Sequence, residues 1–114
     1  MSNKPTTIDE CMVALTKVLS KEDIAKFLKM SADDLGSYHH GLGQWIRNNW
    51  GLWELEPEKS PLLKHMIDLG FKHPDDMSQS IIVEFWNRLN NQPSTLQEDI
   101  KEYAEFWNNI SNEQ

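Results

Sequence analysis

Six helix-start signals are spaced along the chain, and no other feature limits its fold so strongly. Thr7-x-x-Glu10, Ser20-x-x-Asp23, Ser31-x-x-Asp34 and Thr95-x-x-Glu98 fit the capping box or its Asp variant. In that device a hydroxyl oxygen accepts from an early backbone N–H while the acid three residues on reaches back. Ser60-Pro61 offers a cap and then a proline at the first helical position, where a missing N–H is harmless. His73-Pro74-Asp75-Asp76 repeats the pattern and sets two acids against the positive end of a helix dipole.

The residues after each signal keep helical time. Ile8, Cys11, Met12, Leu15, Val18 and Leu19 form one stripe, and Ile24, Phe27 and Leu28 a shorter one. Leu62, Leu63, Met66 and Ile67 form a third, stopped by Gly70; Ile81, Ile82, Phe85, Trp86 and Leu89 form a fourth. Leu96, Ile100, Tyr103, Trp107 and Ile110 recur in steps of four and three. Such spacing follows a 3.6-residue period, and no segment shows the two-residue alternation of a strand. Loops are expected at residues 55–59, 71–73 and 90–93, all short enough to make neighbouring helices pack together. The predicted fold is all-α: a single compact domain of about six short helices around a Trp-rich core. It should span residues 7–110, with frayed ends at 1–6 and 111–114. A chain of 114 residues is one domain's worth.

Composition narrows the function classes. Eighteen acidic residues against eleven basic give a net charge of −7, and the lysines are scattered. Phosphate neutralisation needs clustered Lys and Arg, so neither general nucleic-acid binding nor attachment to an anionic membrane is expected. No apolar run is long enough for a membrane span, and "MSNKPTTIDE" lacks the apolar region of a signal peptide. Cys11 is the only cysteine and lies on an apolar stripe, which suits a reducing compartment and a core thiol rather than a nucleophile. A cytoplasmic setting is inferred.

The densest stretch is "HHGLGQWIRNNWGLWE", residues 39–54, and it reads as the end of a helix running over residues 32–53. Leu35, Tyr38, Leu42, Trp45, Ile46, Asn49 and Trp53 then share a broad face, with Gly36, His40, Gly43, Arg47 and Trp50 as a second stripe. Glycine inside a helix costs up to about 1 kcal/mol relative to alanine. These glycines therefore imply close approach of another group, or a break near Gly41.

Arg47 carries two readings. Its planar cation can clamp a carboxylate or phosphate, with Trp50 stacking one turn on. Alternatively it forms a structural salt bridge, with Asp75 or Asp76 as the partner. His39 and His40 stand about 100° apart on a helix and cannot ligate one metal together. His65 and His73 could join them only through tertiary folding, so no metal and no cofactor is expected. Asp75 and Asp76 are explained by first-turn capping, though paired carboxylates also suit acid–base work. "GLGQW" has the spacing of neither phosphate-binding glycine motif, and no serine sits in a nucleophile elbow.

"HHGLGQWIRNNWGLW" followed by "HPDDMS" resembles a family of small uncharacterised helical domains from bacteria and their phages. That family carries a similar His-x-Gly-Leu-Gly-x-Trp-Ile-Arg-Asn-x-Trp core and a His-Pro-Asp-Asp-Met-Ser element. "TIDECMVAL" and "LQEDIKEYAEFW" also look like its ends, so the resemblance spans nearly the whole chain. It implies a bacterial or phage cytoplasmic protein and no particular activity. The acidic "ELEPEKS" departs from the short glycine-containing link expected there.

Two function classes follow. In the first, the chain is a small acidic protein-interaction module of the immunity, antitoxin or anti-defence kind, without catalysis, whose partner is a basic protein. Homodimerisation through exposed tryptophans is a further option. In the second, His39, His40, Arg47, Asn48, Trp50 and Trp53 line a pocket for an anionic or nucleotide-like ligand, closed by Asp75 and Asp76. There Arg47 would hold the anionic group, and a histidine would move the proton.

Overall fold

The computed structural model describes residues 4–112, with side chains as far as Ile110; the expected frayed residues 1–3 and 111–114 lie otherwise outside the described residues. Six α-helices and no strand occur among them: α1 (Ile8–Val18), α2 (Lys21–Lys29), α3 (Gln44–Asn49), α4 (Pro61–Leu69), α5 (Pro74–Leu89) and α6 (Leu96–Asn112). The fold is all-α and forms one globule. No described helix is long and apolar enough to cross a membrane.

Local chemistry explains where most helices begin. Thr7 accepts from the Glu10 amide and Ser20 from the Asp23 amide, as their sequence positions predict. Glu10 reaches back one residue further than the capping box requires, accepting from the Thr6 amide and hydroxyl. Ser31 behaves differently, because its hydroxyl donates to the Asp34 carboxylate and no backbone amide is capped. Ser60 likewise makes no side-chain cap. At α5 the cap is the His73 ring, whose Nδ1 accepts from the Asp75 amide at 3.0 Å.

The predicted helix over residues 32–53 is not continuous. A 3₁₀ segment (Ala32–Tyr38) runs into a single wide π turn (His39–Gly43), and only then into the short α3. Each change of winding rotates the following residues, so the two stripes drawn for a regular helix do not exist as such. Packing forces the change: Leu35, Gly43 and Ile46 are all buried, and the segment lies along α5. Gly43 sits so close that an added Cβ would stand 3.1 Å from Arg47 Nη1 and 3.2 Å from the Tyr38 carbonyl oxygen. Gly36 and Gly41, by contrast, face open space.

α5 is the axis of the molecule, touching α1, α2, the 3₁₀ and π segments, α3 and α6. Its Met77, Ile81, Ile82 and Phe85 join Cys11, Leu15, Phe27, Ile46, Leu62 and Met66 in one core. The core is aliphatic and phenylalanine-rich, a departure from the predicted tryptophan centre. Trp50 alone of the five tryptophans is fully buried; Trp86 and Trp107 are half-buried, and Trp45 and Trp53 are exposed. Polar ties lock the periphery: Trp86 donates its indole N–H to the Met30 carbonyl, and His65 accepts from the Ile8 amide.

Candidate functional site

The π turn, α3 and the start of α5 meet at Arg47. Its guanidinium is buried, and most of its donors are already engaged. Nη1 donates to the Ser78 hydroxyl at 2.8 Å and lies 3.4 Å from His39 Nδ1. Nη2 donates to the His39 carbonyl at 3.1 Å, and Nε stands 3.4 Å from Asp75 Oδ1 as an ion pair without hydrogen-bond alignment. Ser78 passes the connection on by donating to the Asp75 carbonyl. A guanidinium held on three sides by its own fold has little left with which to grip a ligand.

Asp75 collects more than one cation-capable neighbour. His39 Nε2 is 4.0 Å and His73 Nδ1 3.7 Å from its carboxylate. Asp76 points elsewhere and accepts from the Trp107 indole N–H at 2.9 Å. The Trp107 ring also stacks on His73 at 5.5 Å between centroids, while Trp53 meets the other histidine edge at 6.3 Å. His73 thus caps α5, bonds its backbone and is flanked by two indoles.

The predicted site residues therefore divide into three groups. His39, Arg47 and Asp75 converge. Asp76 lies beside them but serves Trp107, and His40 and Asn48 are exposed, the His40 ring standing edge-to-face with that of His39. Trp50 is buried, its ring edge-to-face with that of Trp45. Trp53 projects into solvent. Ser78 and Trp107 escaped sequence reasoning as members of this cluster, since both reach it from 31 residues beyond the group they bond.

Chemical alternatives are thinly supported by the described residues. They hold no group of three or more His, Cys, Asp or Glu placed for a metal ion. Burial, reinforced by nearby Glu10, pushes the Cys11 thiol up to about 12, so the thiolate needed of a nucleophile is scarce at neutral pH.

Two apolar grooves open on the surface. One, of about 360 Å³, lies between Leu19, Phe27, Tyr38, Leu42 and Trp45. The other, of about 290 Å³, is walled by Trp53, Leu55, Leu63, Ile67 and Met77. Trp53 joins the second groove to the His73–Asp75 corner.

A family model described as a domain of unknown function, DUF6794, matches residues 4–89. The chain belongs to the DUF6794 family. No curated protein and no solved structure matches it. The DUF6794 match runs from just before α1 to the end of α5 and so takes in the whole Arg47–Asp75 cluster. It stops short of "LQEDIKEYAEFW", where sequence resemblance was also expected, so α6 and its Trp107 lie beyond the matched span.

Proposed function

We propose that this DUF6794 domain is a small acidic protein-interaction module that binds its partner through the Trp53–Leu55 face. One observation carries the reading: Leu55 is 92% exposed and Trp53 51% exposed, side by side on a groove that Ile67 also borders. Large apolar side chains left together in water favour association, because covering them releases roughly 25 cal/mol per Å². Exposed Glu54, Glu56 and Glu58 surround Leu55, and with a net charge of −7 they suit a basic protein. An inhibitor or antidote of the immunity, antitoxin or anti-defence type has this combination of size, charge and exposed anchors. The engaged donors of Arg47 speak against an anion clamp at residues 39–50.

The test is affinity capture from the native host with the wild-type chain and a Trp53→Ser/Leu55→Ser variant. Both side chains are exposed, so the variant should fold normally by circular dichroism. The wild type is expected to retain one partner, identifiable by mass spectrometry, and the variant to lose it. Equal capture by the two proteins, or capture of nothing by either, overturns the reading.

A further inference from the structure

α6 is the longest helix among the described residues, yet the fold covers it least. Each of the other five α-helices buries at least one side chain, whereas α6 buries none between Leu96 and Ile110. Leu96, Ile100 and Tyr103 lean on the core, Trp107 is half-buried, and Phe106 faces solvent. The helix packs on α5 and lies wholly beyond the residues matched to DUF6794. An element held by half-covered side chains opens before the rest of a fold does.

The seat beneath α6 fits it imperfectly. Ser80 on α5 has its hydroxyl sealed from solvent and unbonded, within reach of the Tyr103 phenol but out of alignment with it. Such a hydroxyl works against docking, because water would bond it if the helix left. Charge works the same way. α6 carries Glu98, Asp99, Glu102 and Glu105 against Lys101, with Asp76 and Glu84 of α5 near enough to act on it. Burial first, and then the charges of Glu102, Glu98 and Glu84, push the Asp99 carboxyl above its ordinary value, although Thr95 donates to it. The far end is held by Trp107 donating to Asp76 at 2.9 Å and Lys72 donating to Asn108 at 3.2 Å.

We propose that α6 is a strap that leaves α5 as one unit, and that a basic helix of the protein partner takes its seat. The chemistry of the seat defines that helix. Ile100, Tyr103 and Trp107 show the spacing its apolar face must have, and Asp76 asks for a donor at its far end. Lysine or arginine where α6 has Glu98, Glu102 and Glu105 turns repulsion from Asp76 and Glu84 into attraction. The His73 ring meets both Trp107 and Trp53, so the seat borders the Trp53–Leu55 face. The source of the helix rests on the basic partner inferred for that face, whereas the strap itself does not.

Hydrogen exchange of the ¹⁵N-labelled full-length chain, read by NMR, tests the strap. Amides from Ile100 to Trp107 are expected to share one opening, at least roughly tenfold more frequent than that of Ile81 and Ile82 in α5. Glu102 is exposed and stands four residues from Glu98, so Glu102→Gln should make that opening about twofold rarer without moving α5. A peptide of residues 95–110 carrying Glu98→Lys, Glu102→Lys and Glu105→Lys tests the seat. It should shift the Asp76 amide saturably, free the chain's own Trp107 indole N–H, and bind a Trp107→Ala chain more tightly still. The unsubstituted peptide should bind roughly tenfold more weakly. Amides of α6 that open one by one or only together with α5, or a Glu102→Gln chain that opens as often as wild type, overturn the strap. A basic peptide that leaves Asp76 unmoved in both chains, or binds no tighter than the unsubstituted one, overturns the basic occupant. Neither measurement involves Trp53 or Leu55, so its failure and that of the capture experiment are separable.

Discussion

Arg47 and Glu84 are buried charges of opposite sign, and the fold treats them with near mirror symmetry. Each side chain is 5% exposed, and each pairs with a partner that is about half in water: Asp75 at 40% and Arg88 at 43%. Each also bonds one serine, Ser78 to Arg47 at 2.8 Å and Ser94 to Glu84 at 2.7 Å. Geometry makes the two corners look alike, but acid–base chemistry separates them. A carboxylate stranded in apolar surroundings can take up a proton and become neutral. A guanidinium cannot shed one within the range a protein survives. The Arg47 corner therefore depends on its partner at every pH, whereas the Glu84 corner has an escape.

The largest expected effect follows from removing the partner that has no substitute. Asp75→Ala leaves Arg47 buried with no anionic partner, only Ser78 and His39, and should cost about 3 kcal/mol of stability. Urea denaturation should return this loss relative to wild type at pH 7.5, and no smaller a loss at pH 5. A loss that vanishes at the lower pH would show that the guanidinium is not what the mutation strands.

This corner also marks the boundary of what the sequence could say. An arginine among tryptophans implied an acidic partner, and Asp75 was one of two candidates because Pro74 fixed both acids in a first helical turn. Choosing between them needed the π turn, whose position depends on Gly43 fitting against Arg47 and Ser78. Nothing local announces that turn: residues 32–53 contain no proline, and their apolar spacing fits a regular helix. Thr7 and Ser20 were readable because a cap bonds within three residues of itself. His73 was placed at the cap position before Pro74, but its capping bond was not foreseen, since a ring nitrogen replacing a hydroxyl cap leaves no pattern. The Glu84 corner was invisible as a site, being an acid on an apolar helix that finds Ser94 in the following loop, beside an Arg88 that finds Asp9 on α1, only after folding.

Arg88→Ala tests the other half of the comparison and should cost about 2 kcal/mol near neutral pH, because it strands the Glu84 carboxylate with Ser94 alone. The wild-type guanidinium works against some burial, yet hydrogen bonds to Asp9 and Glu84 raise its affinity for the proton, so the charge is secure on that side. In the variant, Glu84 can be neutralised instead. The loss should therefore be smaller at pH 5 than at pH 7.5, in contrast to Asp75→Ala. Parallel pH behaviour in the two variants would erase the distinction drawn between the corners.

The smallest effect is expected at the outer end of the Glu84 corner. Arg88 Nη2 donates to Asp9 Oδ1 at 2.8 Å, the shortest ion-pair contact among the described residues, which makes it look important. Asp9, however, is 84% exposed, so most of the attraction is already offset by water and by the freedom both side chains give up. Asp9→Ala should cost less than about 0.5 kcal/mol in dilute buffer, and the difference should disappear in about 1 M salt, where charges are screened within a few ångströms. Asp75→Ala should keep most of its penalty in the same salt, since Arg47 is out of reach of counterions. Contact distance would then rank these two pairs in the wrong order, and burial of the charge left behind in the right one.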